Sequence, residues 1–352
     1  MARVFWKGVK IAILVVVGIE IISFAFMSLQ NYVLYGGIYS HVPVRYDPDT
    51  LFLMTDSIPP SDYNRESTDP NLNRIVWMFG GSTVRCNAQR NKNTTLPSFV
   101  ARFLNEKAKP NHFTVVNFGE NGFNSLLESK YLEKALTFEK RTPDVIVFYD
   151  GANDCLQYVE HRQPDGHIGY RRLKAFIESY RMGWLGLLKP INAALYASYT
   201  NEFIDRIRML AEPVRSDSPT LERMVTSSAA RYDHIFKLAH CYDAEFLLIW
   251  QPILWAENCS VTTDVHQAER TMFLDVTKFP VVKESLNATY NELEATLKNK
   301  PYFVSLRDSL CGRTTGLFEP DGIHLTTRGD ELMAGIIGEL LIKTFPEKLL
   351  PH

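Results

Sequence analysis

The chain has 352 residues, 45% of them hydrophobic and 22% charged, with a formal net charge of −2 at pH 7. That composition belongs to a folded protein with a sizeable core and excludes a disordered chain. Lysine and arginine are balanced by acids and form no basic stripe, so there is no field for a polyanion and nucleic acid is not an expected partner.

The first element is apolar. Residues 11–29 read IAILVVVGIEIISFAFMSL, about the length needed to cross the hydrocarbon core of a bilayer. We expect a cytoplasmic tail over 1–10 and a transmembrane signal anchor over 11–33. Arg3, Lys7 and Lys10 precede the span, and the positive-inside rule then puts the N-terminus in the cytoplasm and the rest of the chain outside it. That compartment is the periplasm in a bacterium, or the secretory lumen for a type II protein, where the sequons at Asn93, Asn258 and Asn287 become relevant. No small-residue cleavage site follows cleanly, although Gly36-Gly37 leaves one open, so an uncleaved anchor is favoured over a removed signal peptide. Glu20 falls near mid-span. An ionisable group there costs about 2.5–3.5 kcal/mol, which calls either for a partner helix or a protonated carboxyl, or for a span apolar enough to tolerate one acid.

Residues 34–73 are rich in Pro, Asp, Ser and Asn and read as an extended juxtamembrane segment. From there to about residue 347, short apolar runs alternate with helical patterns. Strands are expected at 75–79, 114–118, 145–149, 246–250 and 302–306, and helices at 97–107, 126–140, 220–241, 283–297 and 328–345. Apolar strands separated by helices imply a parallel sheet. The expected fold is therefore α/β, a three-layer α/β/α sandwich of flavodoxin-like type with a five-stranded parallel sheet, behind one N-terminal transmembrane helix. The stretch 156–218 is long for one crossover and contains Trp184-Leu185-Gly186-Leu187-Leu188. It is expected to be a helical insertion, serving as a lid or substrate groove, as a membrane contact, or as a hairpin packed on the domain.

Ligands of such folds bind at the carboxyl ends of the strands, and four loops with chemistry fall there. Ser82 follows the first strand through Gly80-Gly81, a turn that exposes the hydroxyl and points the Ser82 N–H at a developing oxyanion. Gly80-Gly81-Ser82-Thr83 lacks the spacing of a phosphate-cradling GxGxxG or GxxxxGK[ST] loop. Gly122 ends a loop after the second strand, where an unscreened backbone N–H is a candidate donor; Asn153, after the third, offers a side-chain amide. Asp321 and His324, three residues apart, would share one face of a helical turn as orienter and base for Ser82. No third ligand stands near them and no CxxC or His/Cys spacing suggests zinc, so neither metal nor cofactor is expected. His112, His161, His167 and His240 lack a serine or carboxylate at a suggestive spacing. Five cysteines outside the cytoplasm suit disulfides. Cys86 with Cys155, and Cys259 with Cys311, are candidate pairs that leave Cys241 alone, although four cysteines already allow three connectivities.

In order and context, the blocks at Ser82, Gly122, Asn153 and Asp321-Gly322-Ile323-His324 resemble those of the SGNH hydrolases, a subgroup of the GDSL-type esterases and lipases, over about residues 74–345. The resemblance implies Ser82 as nucleophile, His324 as base, Asp321 as its orienter, and an oxyanion hole of Ser82 N–H, Gly122 N–H and Asn153. The first block departs from the family's commonest wording, with Gly-Gly-Ser-Thr in place of Gly-Asp-Ser. The implied activity is acyl-ester hydrolysis through an acyl-serine on an extracytoplasmic O-acylated glycan or lipid. O-acetyl transfer to a cell-surface polysaccharide, or a non-catalytic carbohydrate-binding or assembly role on the same fold, remain open alternatives.

Overall fold

The structure, a computed structural model, describes residues 2–35, 44–85, 91–171, 173–174, 177, 198–258, 280–313, 316–319 and 321–350. In chain order its elements are α1 (Ala2–Tyr35), β1 (Val44–Asp47), β2 (Leu51–Met54), β3 (Asn73–Gly80), α2 (Ser82–Arg85), α3 (Leu96–Lys107), β4 (His112–Gly119), α4 (Ser125–Phe138), β5 (Val145–Asp150) and α5 (Ala152–His161). There follow α6 (Tyr199–Ala211), α7 (Pro219–Cys241), β6 (Glu245–Trp250), α8 (Pro280–Leu297), β7 (Phe303–Ser305), α9 (Thr327–Thr344) and α10 (Pro346–Leu349). They fall into two compact units, Met1–His41 with Ile168–Pro213, and Val42–His167 with Val214–His352.

The larger unit is built on a five-stranded sheet in the order β4-β3-β5-β6-β7, with every pair parallel. This is the 2-1-3-4-5 order of a flavodoxin-like fold, so the order reverses beside β3 and the ends of β3 and β5 face the crevice where such folds bind ligands. Successive strand residues point to opposite faces, and both faces are covered. Val76, Met78, Val145, Val147, Leu247 and Ile249 share a core with Phe99, Val100 and Leu104 of α3 and Met333, Ile337 and Leu341 of α9. On alternate positions Trp77, Phe79, Phe118, Phe148 and Phe246 form a chain of ring contacts. Burial on both sides is why these strands read as continuous apolar runs. β7 pairs through three residues only, shorter than the expected 302–306, because it closes the edge of the sheet and has one neighbour.

The expected extended segment over 34–73 contains structure. β1 and β2 pair antiparallel, and Asp47 Oδ1 closes their turn by accepting from the N–H groups of Asp49 and Thr50. This hairpin belongs to the same compact unit as the sheet. The expected insertion is also narrower: α5 lies in the sheet unit, and the residues set apart from it are 168–213. Gly36-Gly37 and Trp184 to Leu188 lie outside the described residues.

The smaller unit pairs α1 with α6. α1 is long and apolar enough over Arg3–Leu29 to cross a membrane, with mean hydropathy 2.5, and Leu14, Ile21 and Ile22 are exposed along it. α6 opens at Ser198, whose side chain accepts from the Asn201 N–H. Glu20 accepts from the N–H groups of Tyr199, at 2.8 Å, and Thr200, at 3.3 Å.

Candidate active site

The chain leaves β3 at Gly80 and starts α2 at Ser82, so the strand-to-helix reversal occupies Gly80-Gly81. A Cβ on Gly81 would collide with Asn153 Nδ2. Glycine at 81 is what lets the Asn153 amide lie against the Ser82 turn. The Ser82 N–H belongs to the first turn of α2, where N–H groups have no acceptor within the helix.

His324 Nε2 lies 2.7 Å from Ser82 Oγ, and His324 Nδ1 lies 2.5 Å from Asp321 Oδ2. The three side chains expected to act together therefore form one hydrogen-bonded relay. Asp321 and His324 do not sit on a helical turn, as their spacing had suggested. They precede α9 in a tight loop closed by the Phe318–Leu325 bridge and by the Glu319 N–H donating to His324 O at 2.8 Å. The carboxylate organises this loop itself: Asp321 Oδ1 accepts from the N–H groups of Ile323 and His324, each at 2.9 Å. This is the turn an aspartate makes with its own following backbone. Burial would push the Asp321 carboxyl up, but the hydrogen bond and charge of His324 and the two amides outweigh it and hold the carboxyl below the usual range.

Gly122 sits at φ +73°, in the left-handed region that glycine enters without strain. It lies in the turn in which the Phe123 N–H donates to Glu120 O. Two side chains of α5 hold this loop: Asn153 Nδ2 donates to Phe123 O and Gln157 Nε2 to Gly122 O, each at 2.6 Å. An amide carries two N–H bonds, and the contact with Phe123 O uses one of the two on Asn153 Nδ2. The next residue braces the same loop, since Asp154 accepts from Ser125 Oγ at 2.6 Å and from the Ser125 N–H at 3.1 Å. Phe52 of the hairpin packs edge-on against Phe123, with centroids 5.3 Å apart. The structure thus brings Gly122 and Asn153 together beside the Ser82 turn.

Beside the loops of Gly122 and Asn153 lies a group of acids that the sequence did not single out. Glu128, Asp150 and Asp154 are buried together. Burial first, and then the Asp154 charge, push the Asp150 carboxyl up to about 7, against the hydrogen bond from Tyr232. Burial and the charge of Asp150 push Glu128 well above the ordinary range. Tyr232 donates its hydroxyl to Asp150 Oδ2 at 2.8 Å, and Arg231 donates to Ser125 Oγ and Ser228 Oγ.

Three further residues support the site from the chain after β6. Gln251, buried, accepts at Oε1 from Thr83 Oγ1 at 2.9 Å, one residue after Ser82. Trp255 Nε1 donates to Asp321 O at 3.0 Å, and the Leu254 N–H donates to Gly322 O at 2.9 Å. Their position directly after a strand, on the edge that carries the other loops, was the available signal.

The cysteines need one correction. Cys155 is a free, buried thiol, so the expected bond from Cys86 to Cys155 is not made. Cys155 lies in α5 with its side chain in the core, where burial pushes the thiol well above its ordinary range. Cys241 is free and exposed, and Cys311 is disulfide-bonded. Cys86 and Cys259 lie outside the described residues. Among the described residues no group of three metal-ligating side chains is found.

No family model and no curated protein matches the sequence. Solved structures similar in fold include an acetyl xylan esterase at 12% identity, with a TM-score of 0.43 over 76% of this chain and 100% of that one. A lipase/acylhydrolase from Enterococcus faecalis is similar at 16% identity, with a TM-score of 0.37 over 76% of this chain and 95% of that one. An extracellular lipase from Streptomyces rimosus is similar at 12% identity, with a TM-score of 0.39 over 76% and 98%.

Proposed function

We propose that this chain is an SGNH-type serine hydrolase, anchored in a membrane by α1, that cleaves acyl esters through an acyl-serine intermediate. The observation that carries the reading is the relay from Asp321 through His324 to Ser82 Oγ, at 2.5 and 2.7 Å. A serine hydroxyl attacks an ester when an imidazole takes its proton, and a carboxylate fixes the imidazole tautomer and stabilises its charge. As Ser82 Oγ bonds to the carbonyl carbon, its proton passes to His324 Nε2 while charge gathers on the carbonyl oxygen. The N–H groups of Ser82 and Gly122 and the Asn153 amide receive that charge. His324 then protonates the departing alkoxide, and water, deprotonated by His324, releases the acid and restores Ser82. Arg3, Lys7 and Lys10 at the N-terminal end of α1 favour a catalytic unit outside the cytoplasm, with an O-acylated glycan or lipid as substrate; a sugar hydroxyl in place of water would make the same intermediate an acyl donor.

The test is fluorophosphonate labelling and turnover of a panel of short-chain, long-chain and acetylated-glycan esters by the full chain in detergent. Labelling at Ser82 with turnover of at least one ester is expected, and Ser82→Ala should lower kcat by about 10³-fold or more. No labelling and no turnover on any ester would overturn the reading; transfer to an added glycan exceeding hydrolysis would reassign it to a transferase.

A further inference from the structure

One arginine ties the Ser82 turn to the loop of Gly122. Arg85 closes α2, the single turn that Ser82 opens, and its side chain is only 4% exposed. A buried guanidinium needs several oxygens converging on it, and here they come from two separate segments. Nη2 donates to Asp56 O at 2.7 Å and to Asp56 Oδ1 at 2.8 Å, just after β2. Nη1 lies 3.0 Å from Glu120 Oε2 and donates to Gly119 O at 3.4 Å, where β4 ends. The planar fork of an arginine meets such a set; the point charge of a lysine does not.

Through Glu120 this fork reaches the site. Glu120 opens the turn of Gly122: the Phe123 N–H donates to Glu120 O at 3.1 Å, and the Glu120 N–H donates to Gly80 O at 3.0 Å. The Glu120 carboxylate is 8% exposed and also accepts from the Met54 N–H at 3.3 Å. Burial pushes that carboxyl up, and the Arg85 charge is the largest influence holding it down. The approach of α2 to this turn is tight, since a Cβ on Gly119 would fall 2.2 Å from the Arg85 backbone nitrogen. The turn of Gly122 is thus held at one end by Asn153 and Gln157 of α5, and at the other by a side chain three residues after Ser82.

We propose that Arg85 is a positioning residue of the hydrolase: its ion pair with Glu120 sets the separation of the Ser82 turn from the Gly122 turn, and with it the aim of the Gly122 N–H at the oxyanion. The assignment rests on the reading of Ser82 as nucleophile and Gly122 as oxyanion donor. A donor that meets charge only in the transition state acts on kcat and leaves substrate binding alone, and a misplacement of about 1 Å can cost about 10²-fold.

The test compares the full chain in detergent with Arg85→Lys, Arg85→Met and Arg85→Met/Glu120→Gln, reading kcat and KM on the best ester, melting temperature, and inhibition by a boronic acid that mimics the tetrahedral intermediate. Arg85→Met leaves Glu120 buried without its cation and should lower both melting temperature and kcat. Adding Glu120→Gln removes the orphaned charge and should recover most of the melting temperature, while kcat stays about tenfold or more below the parent and KM stays within about twofold. Arg85→Lys keeps the charge and loses the fork, so it should melt with the parent and lose about fivefold in kcat; it carries the test with the double variant if Arg85→Met does not fold. The boronic acid should weaken by the factor that kcat/KM loses. Recovery of kcat together with melting temperature in the double variant, or a parent-like kcat in Arg85→Lys, would show that Arg85 only stabilises the fold and would overturn the proposal. A rise in KM with kcat unchanged would overturn it by placing Arg85 in substrate binding. A parent chain that neither labels at Ser82 with fluorophosphonate nor turns over any ester overturns the hydrolase reading itself, and this assignment with it.

Discussion

At the scale of single residues, the unusual first block has a steric meaning. Asparagine at 153 and glycine at 81 are one feature, because the amide fills the space a Cβ at 81 would need. Asn153→Ala should lower kcat by about 10²–10³-fold, the loss seen when one oxyanion donor is removed. Gly81→Ala should displace the same amide and lower kcat similarly, with Ser82 still labelled by fluorophosphonate. The double variant should be no worse than Asn153→Ala alone, since both substitutions remove one interaction. Steady-state kinetics on the best ester checks all three; a fully additive double variant would mean that Gly81 acts elsewhere. That Ser82, His324 and Asp321 would come together was legible from their residue types and their positions in the chain. The Gly81–Asn153 contact was not, since nothing in the sequence says which two loops touch.

Among the elements, α5 does most of the positioning. Asn153 and Gln157 stand one turn apart, four residues along one helix face, so a single helix supplies a donor and grips the loop of Gly122. Gln157→Ala should therefore lower kcat about tenfold with little change in KM, because it loosens the oxyanion side and leaves the relay intact; a rise in KM alone would place Gln157 in substrate binding. β5 ends in Asp150, against Tyr232 of α7 and Glu128 of α4. An acid whose pKa is raised by folding keeps its proton in the folded chain after the unfolded chain has lost it. Its favourable contribution is complete below about 4 and disappears as pH rises towards about 7. Asp150→Asn keeps an acceptor for Tyr232 and removes the ionisation. Its melting temperature should match the parent near pH 4 and exceed it by several degrees at pH 8, a difference on the order of 1 kcal/mol or more. The central strands were legible as apolar runs, and the long helices from their spacing. The hairpin at 44–54 was not, because two four-residue strands held by the side chain of Asp47 leave no periodic signature.

For the molecule as a whole, the division of the chain does not follow its order. Residues 168–213 interrupt the catalytic sequence yet group with the N-terminal helix. Removing residues 1–43 alone should expose Tyr199 and Phe203, whose rings meet Phe24 and Phe26 of α1, and give a protein that self-associates or binds detergent, read by light scattering after size exclusion. Removing residues 168–213 as well should relieve that association. Equal behaviour of the two truncations would show that α6 needs no cover.

The hydrogen bond from Ser82 to His324 joins residues 242 positions apart. A growing chain presents its serine long before its histidine: at about 5–20 residues per second the interval is roughly 10–50 s. Throughout that time the hydroxyl is an ordinary alcohol. On the proposed mechanism, Ser82 is activated only when the loop of Asp321 and His324 has emerged and closed against the end of β3, so reactivity arrives with the folding of that loop and serves as its certificate.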